Sequence, residues 1–330
     1  MSTFSLQGLP LLDIASYARR GPGRVDRLSP AQIEQIARTV RRVPEVMVKV
    51  SGGGTSPKGV AAHFKYIDRQ GDLELETDEG EHLKGRSVER DLVEDWDLES
   101  ESAASHSPYS GRPGRKPAKL VHNVILSMPA GTSPEKLLAA SRVFAREQFA
   151  LKHRFAMVLD TDQKHPHVHV VIKAVSEQGE RLNIRKATLR QWRAQFARHL
   201  REHGINGNAT ERAVRGESRT RKTDPIFRVA NRGASTHLRD RVERVAAELL
   251  HGTRRTDPGK SRLTCTRHEV RRGWQAVGEI LARQGEGALA QEVRQYLVSM
   301  PPPKTEREAL AEALMANSSK TLERDKPATR

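Results

Sequence analysis

The stretch LDTDQKHPHVHVVIKA, Leu159 to Ala174, constrains this chain more than any other. Its second half is rich in β-branched residues, so it favours an extended strand whose side chains alternate between two faces. Val168, Val170 and Ile172 then supply an apolar face that another layer must cover, while His165, His167 and His169 share the opposite face. Same-face neighbours on a strand stand roughly 7 Å apart, a gap two imidazoles can close by leaning toward one cation. His167 and His169 are the best-placed pair. Asp160 and Asp162 end the preceding run RFAMVLD, where a hairpin around TDQKHP would bring a carboxylate alongside. Three alternating histidines with two nearby acids suit a metal better than a solvated hairpin tip. Imidazole plus carboxylate leaves zinc, manganese, nickel and magnesium open.

The rest of the chain predicts an α/β sandwich with a largely antiparallel sheet, followed by a small all-α domain. Strands are expected at EVMVKV (45–50), DLELET, LVHNVILSM (120–128), RFAMVLD and HVHVVIKAV. Helices are expected from about Ser56 to Arg69, from Ser133, and from about Thr188 to His203, the last carrying Leu189, Trp192, Phe196 and Leu200 at intervals of three and four. Residues 1–44 read as a basic N-terminal arm containing a helix start at Ser29-Pro30, and 45–222 as the α/β domain. Within it, 98–119 is rich in Ser, Pro and Gly and reads as a mobile surface insertion. Residues 223–300 carry helical stripes (Leu238, Val242, Val245, Leu249; Val270, Trp274, Val277, Leu281; Leu289, Val293, Tyr296, Leu297), the second opened by a Thr266–Glu269 capping box. Residues 301–330 read as a final helix and tail.

In SPKGVAAHFKYIDRQG the buried stripe is Val60, Phe64 and Ile67. Tyr66 lies about 200° around the helix from Phe64 and projects away, sharing its face with His63, Arg69 and Gln70. The preceding loop SGGGTS lets a backbone approach another chain closely, and it is no phosphate-binding loop because Gly-Lys-Ser/Thr does not follow. Lys and Arg outnumber Asp and Glu by 57 to 41, a formal charge of +16, which favours a polyanionic partner, nucleic acid first. A tyrosine and a histidine-held cation in such a chain suggest phenolate attack on a DNA phosphodiester. Tyr17 and Tyr109 are weaker alternatives, since neither follows a strand and a glycine-rich loop.

These residues resemble the conjugative relaxases, in the mobilisation branch that includes the T-DNA border endonuclease. VMVKVSGGGTSPKGVAAHFKYIDRQGDLEL resembles the family's first motif, with the nucleophile at Tyr66; SMPAGTSPEKLLAASRVFA resembles the second, in which a helix serine, here Ser141, contacts DNA near the nick; and DTDQKHPHVHVVIKA resembles the third, with His167 and His169 as metal ligands. RQWRAQFARHLREHGINGNATERAVRG also resembles the stretch that follows. The family usually places a histidine where this chain has Asp160, so the third ligand is Asp160 or His165, with Asp162 in support; Lys173 stands where many relatives have asparagine. The resemblance implies a five-stranded antiparallel sheet with packed helices and a divalent ion, Mg2+ or Mn2+. It also implies a nick in single-stranded DNA at a transfer origin, a 5′-phosphotyrosyl adduct, and partners among accessory mobilisation proteins and a type IV coupling protein. Other readings are a decayed DNA-binding mobilisation factor, or a metal-dependent phosphodiesterase using water.

Arg181 to Lys222 holds twelve Lys or Arg against three Asp or Glu. Arg190, Arg193, Arg198 and Arg201, together with His63 and Arg69, are the expected DNA contacts. Trp192 reads as core, because aromatic residues make up only 4% of the chain and do not suggest a stacking surface. One cysteine, Cys265, excludes an internal disulfide and a thiolate zinc cluster, and no apolar run reaches 18 residues. The expectation is a cytoplasmic protein without membrane insertion.

Overall fold

The computed structural model describes Ile14, Tyr17 and residues 26–105, 117–218, 236–252, 257 and 259–324. Two compact units divide the chain: one is Arg42–Ala209, and the other joins the segments Met1–Arg41 and Thr210–Arg330.

The first unit is built on strands β1 (Met47–Gly52), β2 (Leu75–Thr77), β3 (His82–Leu83), β4 (Val121–Ser127), β5 (Phe155–Asp160) and β6 (His167–Lys173). They form one sheet in the order β1-β4-β6-β5-β2-β3, with every pairing antiparallel. The class is as expected, but the strand count is six among the described residues instead of five. The extra strand, β3, is two residues long and pairs only at the edge of β2, too short to carry an alternating pattern.

Helices cover both faces. Helix α1 (Pro30–Val40) belongs to the other unit. Here α2 (Pro57–Ile67), α3 (Val88–Asp95) and α4 (Leu98–Ser105) pack on one face, and α5 (Pro134–Phe149) and α6 (Lys186–Glu202) on the other. Alternation in β6 explains the division. Val168, Val170 and Ile172 join Phe144, Phe149, Trp192 and Phe196 in the α5/α6 core, while Val171 joins Val60, Phe64 and Trp96 beneath α2 and α3. Phe144 is fully buried and meets Phe149, Trp192 and Phe196 edge-on at 5.7–6.5 Å between ring centroids. Full burial of such a side chain contributes about 1.5–3 kcal/mol. Ser56 and Ser133 cap α2 and α5 by accepting backbone N–H bonds, each followed by proline at the first helical position.

Part of the expected surface insertion is ordered structure. Residues 98–105 are helix α4, anchored by the fully buried Leu98, while 106–116 lie outside the described residues. Helix α3 has no counterpart in the sequence reading, although Val88, Leu92 and Trp96 repeat at intervals of four and are buried.

In the second unit, α1 opens with a Ser29/Gln32 capping box and buries Ile36 in the same core as Trp274. The segment expected to be an arm thus supplies a packed helix. That core also holds α8 (Lys260–Arg283) and α9 (Gly287–Ser299), through Val270, Val277, Leu281, Leu289, Val293, Tyr296 and Leu297, while α7 (Thr236–Leu250) and α10 (Glu306–Arg324) complete the unit. Helix α8 starts at Lys260, so Thr266–Glu269 is helix interior and not a cap. Trp274 Nε1 donates to the Val214 carbonyl at 2.8 Å. No helix among the described residues is long and apolar enough to cross a membrane.

Candidate active site

The hairpin β5–β6 sets the site. Its register places Asp160 opposite His167 and Val158 opposite His169, and β4 adds Ser127 beside His167 and Ile125 beside His169. Partners across an antiparallel pair share a face. β1 extends these rows to Met47 and Lys49, both exposed. The face that carries the histidines is therefore polar at one end of the sheet and covered by α2 at the other.

Asp160, His167 and His169 are all buried, and one ligand atom from each lies within 4.8 Å of the others. His167 Nε2 and His169 Nε2 face each other at 3.1 Å, and His167 Nε2 is 3.5 Å from Asp160 Oδ2. Two opposed imidazole nitrogens can share at most one proton, so at least one lone pair points into the gap. Burial, aided by the charge on His167, pushes His169 down to about 4. Its ring is neutral near pH 7 and free to donate a lone pair. Burial pushes the Asp160 carboxyl up, but the Asp162 N–H, the Arg69 hydrogen bond and the nearby positive charges outweigh it and hold the group below its ordinary range. This donor set suits a divalent cation.

Tyr66 lies on α2 above this face and is 62% exposed. His63, one turn earlier, stacks with it at 6.4 Å between centroids and meets His169 edge-on at 6.5 Å. Burial lowers the His63 pKa. Arg69 follows α2 in the left-handed region (φ 56°), as does Gln70 (φ 62°). Its guanidinium lies 5.9 Å from the Tyr66 ring centroid and bonds Asp160 at 2.7 Å and Asp162 at 3.3 Å. Gly71 completes the turn at φ 92°, where a Cβ would come within 2.6 Å of the Gly85 backbone. Tyrosine, histidines, arginine and carboxylate thus form one connected group.

Several expected site residues are elsewhere. His165 is exposed in the loop before β6, where its Nδ1 accepts the Ala130 N–H at 2.9 Å; the strand begins only at His167, so the alternation does not reach back to it. Ser141 is fully buried in α5, and its hydroxyl donates to the Leu137 carbonyl at 2.7 Å. The position offers no surface to DNA. Arg190, Arg193, Arg198 and Arg201 lie on α6, which packs on the sheet face opposite the histidines. Arg193 donates to the Val48 carbonyl, Arg198 pairs with Glu147, and Arg201 donates to the Gly207 carbonyl. Tyr17 is buried and accepts a bond from Gln32, and Tyr109 lies outside the described residues. The glycine-rich loop makes its close approach within this chain: a Cβ on Gly53 would lie 2.3 Å from the Val121 carbonyl oxygen. Lys173 is buried against Glu101 at 3.2 Å. The sequence reading overlooked Ser127, Met47 and Lys49, whose shared face follows from alternation once the pairing is known.

A tyrosine thus stands beside a buried histidine–carboxylate cluster that could hold a metal ion, on a two-sided antiparallel sheet. Residues 66–205 match the family described as "Relaxase: MobA/VirD2-like, nuclease domain". Among curated proteins the chain is similar to the T-DNA border endonuclease VirD2 of Agrobacterium fabrum, at 28% identity over 204 residues, covering 58% of this chain and 44% of the relative. It is also similar to the proteins of the same name from Rhizobium rhizogenes (29% identity, 51% of this chain, 40% of the relative) and Rhizobium radiobacter (29%, 51%, 42%). The chain spans less than half the length of these relatives.

Proposed function

We propose that this chain is a relaxase that nicks single-stranded DNA at a transfer origin by transesterification onto Tyr66. The observation that carries this reading is the connection from the exposed Tyr66, through His63 and Arg69, to the buried Asp160–His167–His169 group. The Tyr66 oxygen attacks the scissile phosphorus, the bond to the 3′ oxygen breaks, and the departing oxygen takes up a proton while the phenol releases one to solvent. One phosphodiester replaces another, so the step reverses and can rejoin the strand. Asp160, His167 and His169 would hold a divalent cation, Mg2+ or Mn2+, which when bound neutralises a non-bridging phosphate oxygen. His63 and Arg69 flank the nucleophile and orient the strand. Accessory mobilisation proteins and a type IV coupling protein are the partners this activity would require.

The test uses end-labelled single-stranded oligonucleotides tiled across the DNA flanking the gene, with and without Mn2+, resolved on denaturing gels. A protein–DNA adduct that needs Mn2+ and disappears in Tyr66→Phe, with DNA binding kept, supports the reading. Nicking that persists in Tyr66→Phe without covalent attachment would indicate a water-using phosphodiesterase. Binding without an adduct, with or without Mn2+, would indicate a factor that has lost catalysis.

A further inference from the structure

Asp160 serves two claimants. Its Oδ2 accepts the 2.7 Å bond from Arg69 and stands 3.5 Å from His167 Nε2, and its Oδ1 accepts the Asp162 N–H at 2.9 Å. The oxygen nearest the histidine pair is thus already neutralised by a guanidinium. A cation that takes Oδ2 as a ligand must displace this charge-assisted bond from Arg69, and losing such a bond costs about tenfold or more in affinity. Arg69 also reaches the other side of the site: its side chain is 33% exposed and its guanidinium lies against the Tyr66 ring, where a phosphate would have to arrive for attack. A guanidinium exchanges readily between carboxylate and phosphate, because both accept its planar fork.

We propose that Arg69 is a positioning residue that couples strand engagement to metal loading. In the free protein it holds Asp160; when a DNA phosphate arrives beside Tyr66, Arg69 turns to the phosphate and releases Asp160 Oδ2 to the cation. Metal and strand then bind with positive cooperativity, each favouring the arrangement the other needs. This inference rests on the relaxase reading and adds a use for the carboxylate at 160 that a histidine there could not serve, since neutral imidazole does not hold an arginine as carboxylate does.

The experiment measures Mn2+ affinity by the electron paramagnetic resonance of the free ion, in the full chain carrying Tyr66→Phe so that no strand is cut. It is done alone and with a saturating mixed-sequence single-stranded 30-mer, corrected for the ion bound by DNA alone. In the DNA-free protein Arg69→Gln should tighten Mn2+ by about fivefold or more. The gain should vanish when Asp160→Asn is also present. The 30-mer should tighten Mn2+ several-fold more when Arg69 is intact than in Arg69→Gln, where only the direct contact between phosphate and ion remains. Arg69→Asn repeats the measurement with a residue suited to left-handed backbone, should the glutamine variant fold poorly. An unchanged or weaker affinity in both variants overturns the proposal, and so does an equal gain in the Asp160→Asn background, which would mean general charge repulsion. If no bound Mn2+ is lost on His167→Ala or His169→Ala, the metal reading fails with it; if the histidines hold Mn2+ but Arg69 has no effect, only the coupling fails.

Discussion

Replacing Ser141 with alanine distinguishes a DNA contact from a core position. The substitution removes one oxygen, fully buried, whose hydrogen bond among the described residues runs 2.7 Å to the Leu137 carbonyl four residues earlier. That carbonyl keeps its helical N–H partner, so no acceptor is orphaned, and the lost hydroxyl bond costs about 0.5–1.5 kcal/mol. Alanine recovers up to about 0.7 kcal/mol of helix propensity. The net effect lies between about 0 and 1.5 kcal/mol, or a fall in Tm of no more than about 6 °C for a unit of this size. Nothing in this changes the DNA-facing surface, so affinity for single-stranded DNA should move less than about twofold. A true hydroxyl–phosphate bond, made to a charged acceptor, would be worth about 1.5–3 kcal/mol, a loss of roughly ten- to a hundredfold. Fluorescence anisotropy with a labelled oligonucleotide, alongside thermal unfolding by circular dichroism, measures both. An affinity loss of fivefold or more with Tm held within about 2 °C would refute the reasoning, because it would require the hydroxyl to reach DNA from within the α5 core.

Lys49 shares the lateral row of Ile125 and His169 and is exposed, so Lys49→Ala should weaken single-stranded DNA binding across sequences and reduce the slope of log K against log salt by about 0.7. Arg198→Ala, on the opposite face and paired with Glu147, should change neither, and a larger effect at Arg198 than at Lys49 would reverse this assignment of the DNA face. His122 is lowered to about 4 by burial, then by the charges of Lys119, Arg181 and His153. Its folded pKa lies below the unfolded value of 6.5, so its contribution is present above about pH 6.5 and is lost as pH falls toward 4. Urea unfolding at pH 7, 5.5 and 4.5 should therefore show a shallower decline for His122→Asn than for the natural chain; parallel declines would show that His122 does not carry this dependence.

Elements whose pattern is local were legible in the sequence. The β-branched run of β6, the Ser-Pro starts of α2 and α5, and the Trp192 stripe each contain their own signal. The outward direction of Tyr66 followed from helical periodicity alone. What escaped depends on partners distant in the chain. Choosing between Asp160 and His165 requires the β5–β6 register, which places Asp160 opposite His167 and leaves His165 in the loop. The face on which α6 packs cannot be read from α6, so its arginines were expected near a site that lies across the sheet. Ser141 was assigned by resemblance, which transfers a role without testing whether the side chain is exposed. Helix α3 was a different kind of miss, since its stripe of Val88, Leu92 and Trp96 was present and unread.

The composition of the histidine face argues that stability is not what selects it. One position further along β6 on that same face, Val171 is fully buried and packs with Val60 and Phe64. A chain optimised only for its core would continue that way through positions 169 and 167. Instead it buries two imidazoles and a carboxylate, and each buried polar group costs about 1–3 kcal/mol when imperfectly paired. The partners present offset only part of this cost: Arg69 and the Asp162 N–H satisfy Asp160, while His167 and His169 direct nitrogen at nitrogen across 3.1 Å. A divalent cation would replace the one proton those nitrogens can share by coordination to both rings, and Arg69 balances the charge of Asp160. Residues that break the local rule of a strand and improve one another only when a ligand is added are what a site requires and a core does not.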